Sequence, residues 1–358
     1  MTTPSASTEL NREFDHEELV MVKDSATGLV GCVAIHSTAL GPAVGGLRLS
    51  SYPGISAAAT DALRLSRAMT FKNAAAGLDL GGGKAVLIDD GRWSDPTMRT
   101  ARLHAFAVRL DRLDGRYITA EDVGTTPLDM ETIADITPHV SGRPAASGDP
   151  SAATARTVFA AIATAVELTL NTDLDAVRVG VLGAGHVGGR LVRLLRQAGA
   201  EVILSDIDTQ RALDVANDTG ARAVPLAGFV TQPMDVFAPC ALGGVLRAED
   251  VPQLRCRVIA GAANNPLADP AVAATLDARG ILYVPDFLAN NGGIINVAAE
   301  VLDFDAAELN LRIDDAIGRT RAVLTDARDS GRTPLELALE LVGRRLEQAR
   351  ISELSGTR

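Results

Sequence analysis

Apolar and polar positions alternate along this chain in short blocks that predict strands and helices in turn. After a loose polar lead-in over residues 1–15, two apolar, β-branched runs at 18–22 and 31–36 flank the turn signal Ser25-Ala26-Thr27-Gly28, which predicts an antiparallel hairpin. Over 55–69 the residues Ala58, Ala62, Leu65, Ala68 and Met69 recur at helical spacing, so a helix is expected to end just before Lys72. A buried strand at 85–88 closes on Asp89-Asp90. An amphipathic helix at 97–113 follows, then a strand at 116–120 that runs into Glu121-Asp122. The Gly/Pro/Ser-rich stretch 141–150 reads as a hinge. Beyond it the pattern gives a long helix at 154–170, a strand at 177–182, a helix at 186–198 and a strand at 201–206. Short apolar strands follow at 236–238, 258–260 and 282–284. Strands that alternate with helices predict an α/β fold. The expected division is a first α/β domain over 1–140, a doubly wound parallel sheet over 141–330, and a helical return to the first domain over 331–358.

Composition narrows this picture. A chain of 358 residues suits two domains, and 47% hydrophobic with 22% charged residues is an ordinary folded composition. The formal net charge of −11 disfavours nucleic acid or an anionic membrane as partner. No apolar run reaches the ~20 residues of a bilayer span, so no membrane segment is expected. The N-terminus lacks a signal pattern. Cys32, Cys240 and Cys256 are widely spaced, which argues against a disulfide framework and fits a reducing cytoplasm. Cys240 has no basic neighbour and reads as structural. His36 and His104 have no second ligand at metal spacing, so no metal is expected.

The candidate chemistry lies at a few positions. Gly183-Ala184-Gly185-His186-Val187-Gly188 follows a predicted strand and opens a predicted helix. Glycines there let backbone approach a pyrophosphate and let helix pack on strand, which makes the second domain Rossmann-type. Asp206 closes the next strand, where a carboxylate binds ribose hydroxyls and repels a 2′-phosphate; NAD is favoured over NADP. Upstream, Lys72 suits an anchor for a substrate carboxylate, to which Gly45-Gly46 could add backbone N–H groups. Lys84, after a triple-glycine turn, is the candidate base, its amine kept neutral by burial and a neighbouring positive charge. Asp122 is placed to carry a proton to a substrate nitrogen. Carboxylate anchor, neutral amine and nicotinamide together point to amino acid oxidation.

The segments Gly41-Pro42-Ala43-Val44-Gly45-Gly46-Leu47-Arg48, Met69-Thr70-Phe71-Lys72, Gly81-Gly82-Gly83-Lys84 and Thr119-Ala120-Glu121-Asp122-Val123-Gly124-Thr125 follow one another in order. Ala238-Pro239-Cys240-Ala241-Leu242-Gly243-Gly244 and Pro285-Asp286-Phe287-Leu288-Ala289-Asn290-Asn291-Gly292-Gly293 complete the set. Together they resemble the leucine/valine/phenylalanine branch of the glutamate dehydrogenase superfamily over about residues 20–350. The resemblance implies NAD-dependent oxidative deamination in a hinged cleft of a homo-oligomer. It implies Lys72 and Asn290 on the carboxylate, Lys84 as base and Asp122 in proton transfer. By the same resemblance Thr154 contacts the nicotinamide carboxamide, while Asn264 and the backbone after Cys240, including Ala241, line the nicotinamide half. The side-chain pocket it implies is Val44, Ala120, Ile294 and Val297. None of these is charged, so a second carboxylate would go unpaired and glutamate is disfavoured. Leucine or valine is favoured over the alternative of phenylalanine or tryptophan. A non-catalytic NAD-binding sensor is the reading of another class, and it would be expected to lack one of Lys72, Lys84 or Asp122. Three positions depart from the family pattern: Asn291 where alanine usually precedes the double glycine, Pro266 where glutamine is common, and Ala299 in place of an aspartate.

Overall fold

The computed structural model describes residues 15–143, 149–241 and 243–355. The lead-in over 1–14, the middle of the expected hinge (144–148) and the last three residues lie outside them.

The first sheet is built from β1 (Glu18–Asp24), β2 (Leu29–Ser37), β3 (Ala43–Ser50), β4 (Gly81–Ile88) and β5 (Tyr117–Glu121), in the order β1-β2-β4-β3-β5. The β1–β2 hairpin turns where expected. Gly28 adopts φ 73° there, and Asp24 accepts from Thr27 N and Oγ1 at 2.8 Å. β4 pairs antiparallel with β2 and parallel with β3, and β3 pairs parallel with β5. The helices α1 (Ile55–Ala75), α2 (Pro96–Asp111) and α3 (Pro127–Ala134) accompany this sheet.

Two local expectations are corrected. The helix α1 does not stop before Lys72 but runs on to Ala75, because Phe71, Ala74 and Ala75 join an apolar cluster with the C-terminal helices. The triple glycine is not a turn; Gly81–Gly83 are the first residues of β4. A Cβ on Gly82 would stand 2.1 Å from Thr70 N, and one on Gly83 would stand 2.5 Å from the Tyr117 ring. These glycines let α1 and the Tyr117 ring press against β4.

The second sheet is wholly parallel and has the order β11-β10-β9-β6-β7-β8. Its strands are β6 (Arg178–Leu182), β7 (Glu201–Ser205), β8 (Arg222–Ala223), β9 (Val236–Pro239), β10 (Val258–Ile259) and β11 (Leu282–Tyr283). The order reverses between β6 and β9, as in a doubly wound dinucleotide fold, where ligands bind at that reversal. The interleaved helices are α4 (Ser151–Leu170), α5 (His186–Gln197), α6 (Thr209–Thr219) and α7 (Val272–Ala278). Contrary to the sequence-based expectation, α4 is long and apolar enough to cross a membrane. Its buried face, including Val158, Ile162, Ala165 and Val166, instead packs on Val179, Val181 and Leu191 in the core of this sheet.

The chain closes with α8 (Asp286–Ala289), α9 (Gly292–Val301), α10 (Ala306–Ser330) and α11 (Pro334–Leu354). Ala338 and Val342 of α11 pack on Ala74 and Ala75 of α1. Arg345 donates to Ala74 O at 2.9 Å and Leu78 O at 2.8 Å, while Arg319 of α10 donates to Ala75 O at 3.2 Å. Carbonyls at and just beyond the end of α1 are thus met by two guanidinium groups.

Candidate active site

Lys84 lies in the middle of β4, 5% exposed, with Nζ 2.8 Å from Asp122 Oδ2. Asp122 follows β5 and is held by a tight turn: Thr125 N donates to Asp122 O at 3.0 Å, and Asp122 N donates to Thr125 Oγ1 at 3.0 Å. The same carboxylate oxygen accepts from Arg48 Nε at 3.0 Å. Arg48 is in turn 3.0 Å from Asp61 Oδ2, to which Tyr52 OH donates at 2.7 Å. Arg48, Asp61 and Tyr52 were not singled out from the sequence. Their signal there is weak, since each becomes visible only when α1 is laid on β3.

Burial lowers the pKa of Lys84; Asp122 opposes that shift and Arg48 adds to it. The positive neighbour acting on Lys84 is therefore Arg48. Burial also opposes ionisation of Asp122, but Lys84 and Arg48 outweigh it and hold its carboxyl below the usual value. Lys72, in the last turn of α1, is lowered to about 8, chiefly by burial and then by Lys84, against the pull of Asp286 and Asp122. Two amines of depressed pKa thus stand near one carboxylate.

Gly45 and Gly46 sit in β3, in register with Thr119 and Ala120, and the β3–β4 pairing skips both. A Cβ on Gly46 would stand 2.6 Å from Asp122 Cβ and 3.1 Å from Lys84 Nζ, and one on Gly45 would be 1.8 Å from Gly83 O. Gly46 thus leaves room for the Lys84–Asp122 pair, and Gly45 for the backbone of β4 at Gly83.

Lys72 Nζ donates to Asn264 Oδ1 at 3.0 Å. Asn290, which follows α8, donates through Nδ2 to that same oxygen and to Ala262 O, both at 3.0 Å. Two donors, one from α1 and one from the end of α8, therefore converge on one oxygen, the arrangement a carboxylate oxygen requires. Val44, Ile294 and Val297 share an apolar cluster with Met69, Ile118 and Ala153. Ala120 is outside that cluster and lies opposite Gly46.

The glycine fingerprint joins β6 to α5. Gly183 adopts φ 109°, and a Cβ there would stand 2.8 Å from Ala241 N and 2.7 Å from the Cys240 carbonyl carbon. Gly188 presses on Gly183 O, while a Cβ on Gly185 would meet no heavy atom within 4 Å. That open space beside a helix start fits a pyrophosphate. His186 is exposed in the first turn of α5, next to the half-buried Val187. Asp206 stands at the end of β7, its Oδ2 accepting from Ala184 N at 2.6 Å and its Oδ1 from Asp208 N at 2.8 Å. Thr154 is buried on α4 and donates to Pro150 O at 3.0 Å; a Cβ on Gly293 would be 2.7 Å from its Oγ1. Burial pushes the Cys240 thiol up to about 12, so it packs and does not react. Among the described residues no cluster suited to a metal ion occurs.

One further element was missed by sequence reasoning. Glu300 of α9 accepts through Oε2 from Ser141 Oγ at 2.8 Å and Gly142 N at 2.7 Å, which fastens the start of the expected hinge to α9.

Residues 15–139 match the model of the Glu/Leu/Phe/Val dehydrogenase dimerisation domain, and residues 206–309 match that of Glutamate/Leucine/Phenylalanine/Valine dehydrogenase. The chain is 42% identical to leucine dehydrogenase of Bacillus subtilis (strain 168) over 344 residues, covering 95% of this chain and 94% of that one. It is 40% identical to valine dehydrogenase of Streptomyces virginiae over 342 residues, 94% of this chain and 95% of that one. The crystal structure of L-tryptophan dehydrogenase from Nostoc punctiforme superposes with a TM-score of 0.83 at 36% identity, covering 96% of this chain and all of that one, 100%. The site and these likenesses agree: the chain belongs to the glutamate/leucine/phenylalanine/valine dehydrogenase family, in its leucine and valine dehydrogenase branch.

Proposed function

We propose that the protein oxidises a branched-chain L-amino acid with NAD, using Lys84 and Asp122 for proton transfer and Lys72 as carboxylate anchor. The reaction class follows from the family: an apolar amino acid is deaminated oxidatively to its 2-oxo acid and ammonia with a nicotinamide cofactor. The observation that carries the residue assignment is the buried Lys84–Asp122 pair at 2.8 Å, beside the break in pairing at Gly45-Gly46.

When bound, nicotinamide supplies the hydride acceptor for the substrate α-carbon. The chain's own residues do the remaining work. Lys72 and Asn290 exchange Asn264 Oδ1 for a carboxylate oxygen, which fixes the α-carbon in the cleft. Lys84, held towards its neutral form by burial, accepts the proton of the substrate ammonium and releases it to solvent; neutral again, it takes the proton of the water attacking the oxidised carbon. Asp122 passes that proton to the nitrogen, and the hydroxyl proton follows the same route as the C–N bond breaks, so ammonia leaves protonated. The carboxylate of Asp206 beside the fingerprint supports NAD over NADP. The uncharged Val44, Ile294 and Val297, with Ala120 opposite Gly46, support a branched-chain side chain.

The same reading divides the chain into a catalytic domain (1–140), a cofactor domain (141–330) and a C-terminal return (331–358). It makes the protein a cytoplasmic homo-oligomer, for which the match to a dimerisation-domain model and three free cysteines are the support. The test is NADH formation at alkaline pH with leucine, valine, isoleucine, phenylalanine, tryptophan and glutamate, repeated with NADP. Leucine or valine should lead by roughly tenfold in kcat/KM, about 1.4 kcal/mol of transition-state binding. An aromatic substrate in the lead would overturn the branched-chain assignment, and no turnover at all would favour a sensor.

A further inference from the structure

Lys72 rides on a long helix, but the two asparagines that meet it do not. Asn264 lies in the loop after β10, and Asn290 follows α8, a helix of only four residues. One residue reaches the backbone of both. Asp286, half-buried at the start of α8, accepts through Oδ2 from Asn265 N at 2.8 Å, and its carbonyl accepts from Asn290 N at 2.8 Å. Its Oδ1 accepts from Tyr283 OH at 3.4 Å.

The turn that Asp286 holds is one the chain would not adopt unaided. Asn265 has φ 47°, the left-handed region that side chains other than asparagine and aspartate seldom enter. Its N–H is taken by Asp286, and its carbonyl accepts from Gly244 N at 2.9 Å. The loop is also packed closely from that side, since a Cβ on Gly243 would stand 2.5 Å from Asn264 O. Any short acceptor could hold such a turn, so the charge of Asp286 calls for a second reason.

That reason stands beside the turn, where Lys72 Nζ donates to Asn264 Oδ1 at 3.0 Å. Three charged groups act on Lys72: Asp286 and Asp122 favour its cation, and Lys84 opposes it. Asp122 is already engaged by Lys84 at 2.8 Å and by Arg48 at 3.0 Å. The donors that meet the Asp286 carboxylate, Asn265 N and Tyr283 OH, are neutral, which leaves its charge for Lys72. Among the charges acting on the lysine, that of Asp286 is the strongest.

We propose that Asp286 is a positioning residue for the substrate carboxylate: it fixes the turn behind Asn264 and the helix end before Asn290, and its negative charge offsets that of Lys72. This rests on the reading of Lys72 as carboxylate anchor. Its consequence for pH has a definite sign. A carboxylate needs the lysine charged, so binding falls as pH rises through the lysine's titration, near 8 in the free protein. Without the negative charge of Asp286 that fall begins at lower pH, while Lys84 and Asp122 are left as they were.

The test measures binding of 4-methylpentanoate and 3-phenylpropanoate, which are leucine and phenylalanine without their amine, by calorimetry with NADH present. The tighter of the two is followed from about pH 6 to pH 10, a range in which it stays ionised. Asp286→Asn keeps an acceptor for Asn265 N and loses the charge. It should match wild type near pH 6 and bind about tenfold more weakly above pH 9, the effect of a fall displaced by about one pH unit. Asp286→Ala loses the acceptor as well and should bind more weakly at every pH. Lys72→Met should bind weakly with no fall at all. An Asp286→Asn curve that overlies wild type would overturn the inference, and so would one offset equally at every pH, the mark of a turn-holding role alone. Wild type that binds neither acid, or Lys72→Met that binds as wild type does, would instead remove the anchor itself, and the inference with it.

Discussion

Lys72 sits where two demands meet: in its proposed role it holds a carboxylate as a cation, yet it is lowered from 10.5 to about 8 by burial and by Lys84. Between those two values the folded protein holds a neutral amine while the unfolded chain holds a proton. The unfolded state thus binds more protons in that window, and stability rises with pH across it; below about 8 the penalty is fully present. Melting temperatures of wild type and Lys72→Met should therefore differ in favour of the variant at pH 7 and converge towards pH 10. A constant difference would mean that the amine titrates normally. At this scale the sequence was legible for charged side chains next to glycine. The doublet Gly45-Gly46 was legible only in part, because a missing side chain reads equally as an exposed N–H or as vacated space; at Gly46 a Cβ would stand 3.1 Å from Lys84 Nζ. Arg48 was unreadable for a related reason, since its role depends on Asp61 coming from another element.

Among the elements, β4 teaches most. Three consecutive glycines are usually punctuation, and the sequence reading took them as a turn. In the fold they are strand residues, thinned so that α1 and Tyr117 can reach the sheet. The substitution Gly82→Ala should cost about 3 kcal/mol through overpacking, because its methyl would stand 2.1 Å from Thr70 N, which is backbone and cannot swing away. Chemical denaturation checks this, and a variant of wild-type stability would show that α1 can shift off the sheet. β3 escaped notice for a similar reason: Ala43-Val44-Gly45-Gly46 offers neither alternation nor bulk, although it is a central strand. The second sheet was far easier to read. Its parallel strands, apart from the exposed edge strand β8 that the sequence did not reveal, are largely buried and so write themselves as plain apolar runs between helices.

Across the whole molecule, helix α1 beside the first sheet meets the segments that follow β10 and β11 of the second through Lys72, Asn264 and Asn290, and it is braced by the C-terminal helices. Arg345 and Arg319 hold the carbonyl end of α1, one turn beyond Lys72. Arg345→Met should free Leu78 O and remove one donor from Ala74 O, loosen that end, and lower stability by about 1–3 kcal/mol. Amino acid KM should rise several-fold while NADH affinity stays unchanged. Equal losses in both ligands would mean general unfolding, and unchanged KM would mean that the guanidinium does not hold the lysine in place. Such cross-chain bracing was hidden from the sequence, where Arg345 is one more cation in an amphipathic helix.

That bracing also sets an order in time. During synthesis the lysine proposed as anchor emerges early, at position 72, whereas the side chains that steady its helix emerge at 319 and 345, after the last strand of the second sheet. A ribosome-bound chain can wrap both sheets and still lack a firm grip on its substrate. The enzyme is thereby assembled like an arch, in which the last stones laid are the ones that let the first carry weight.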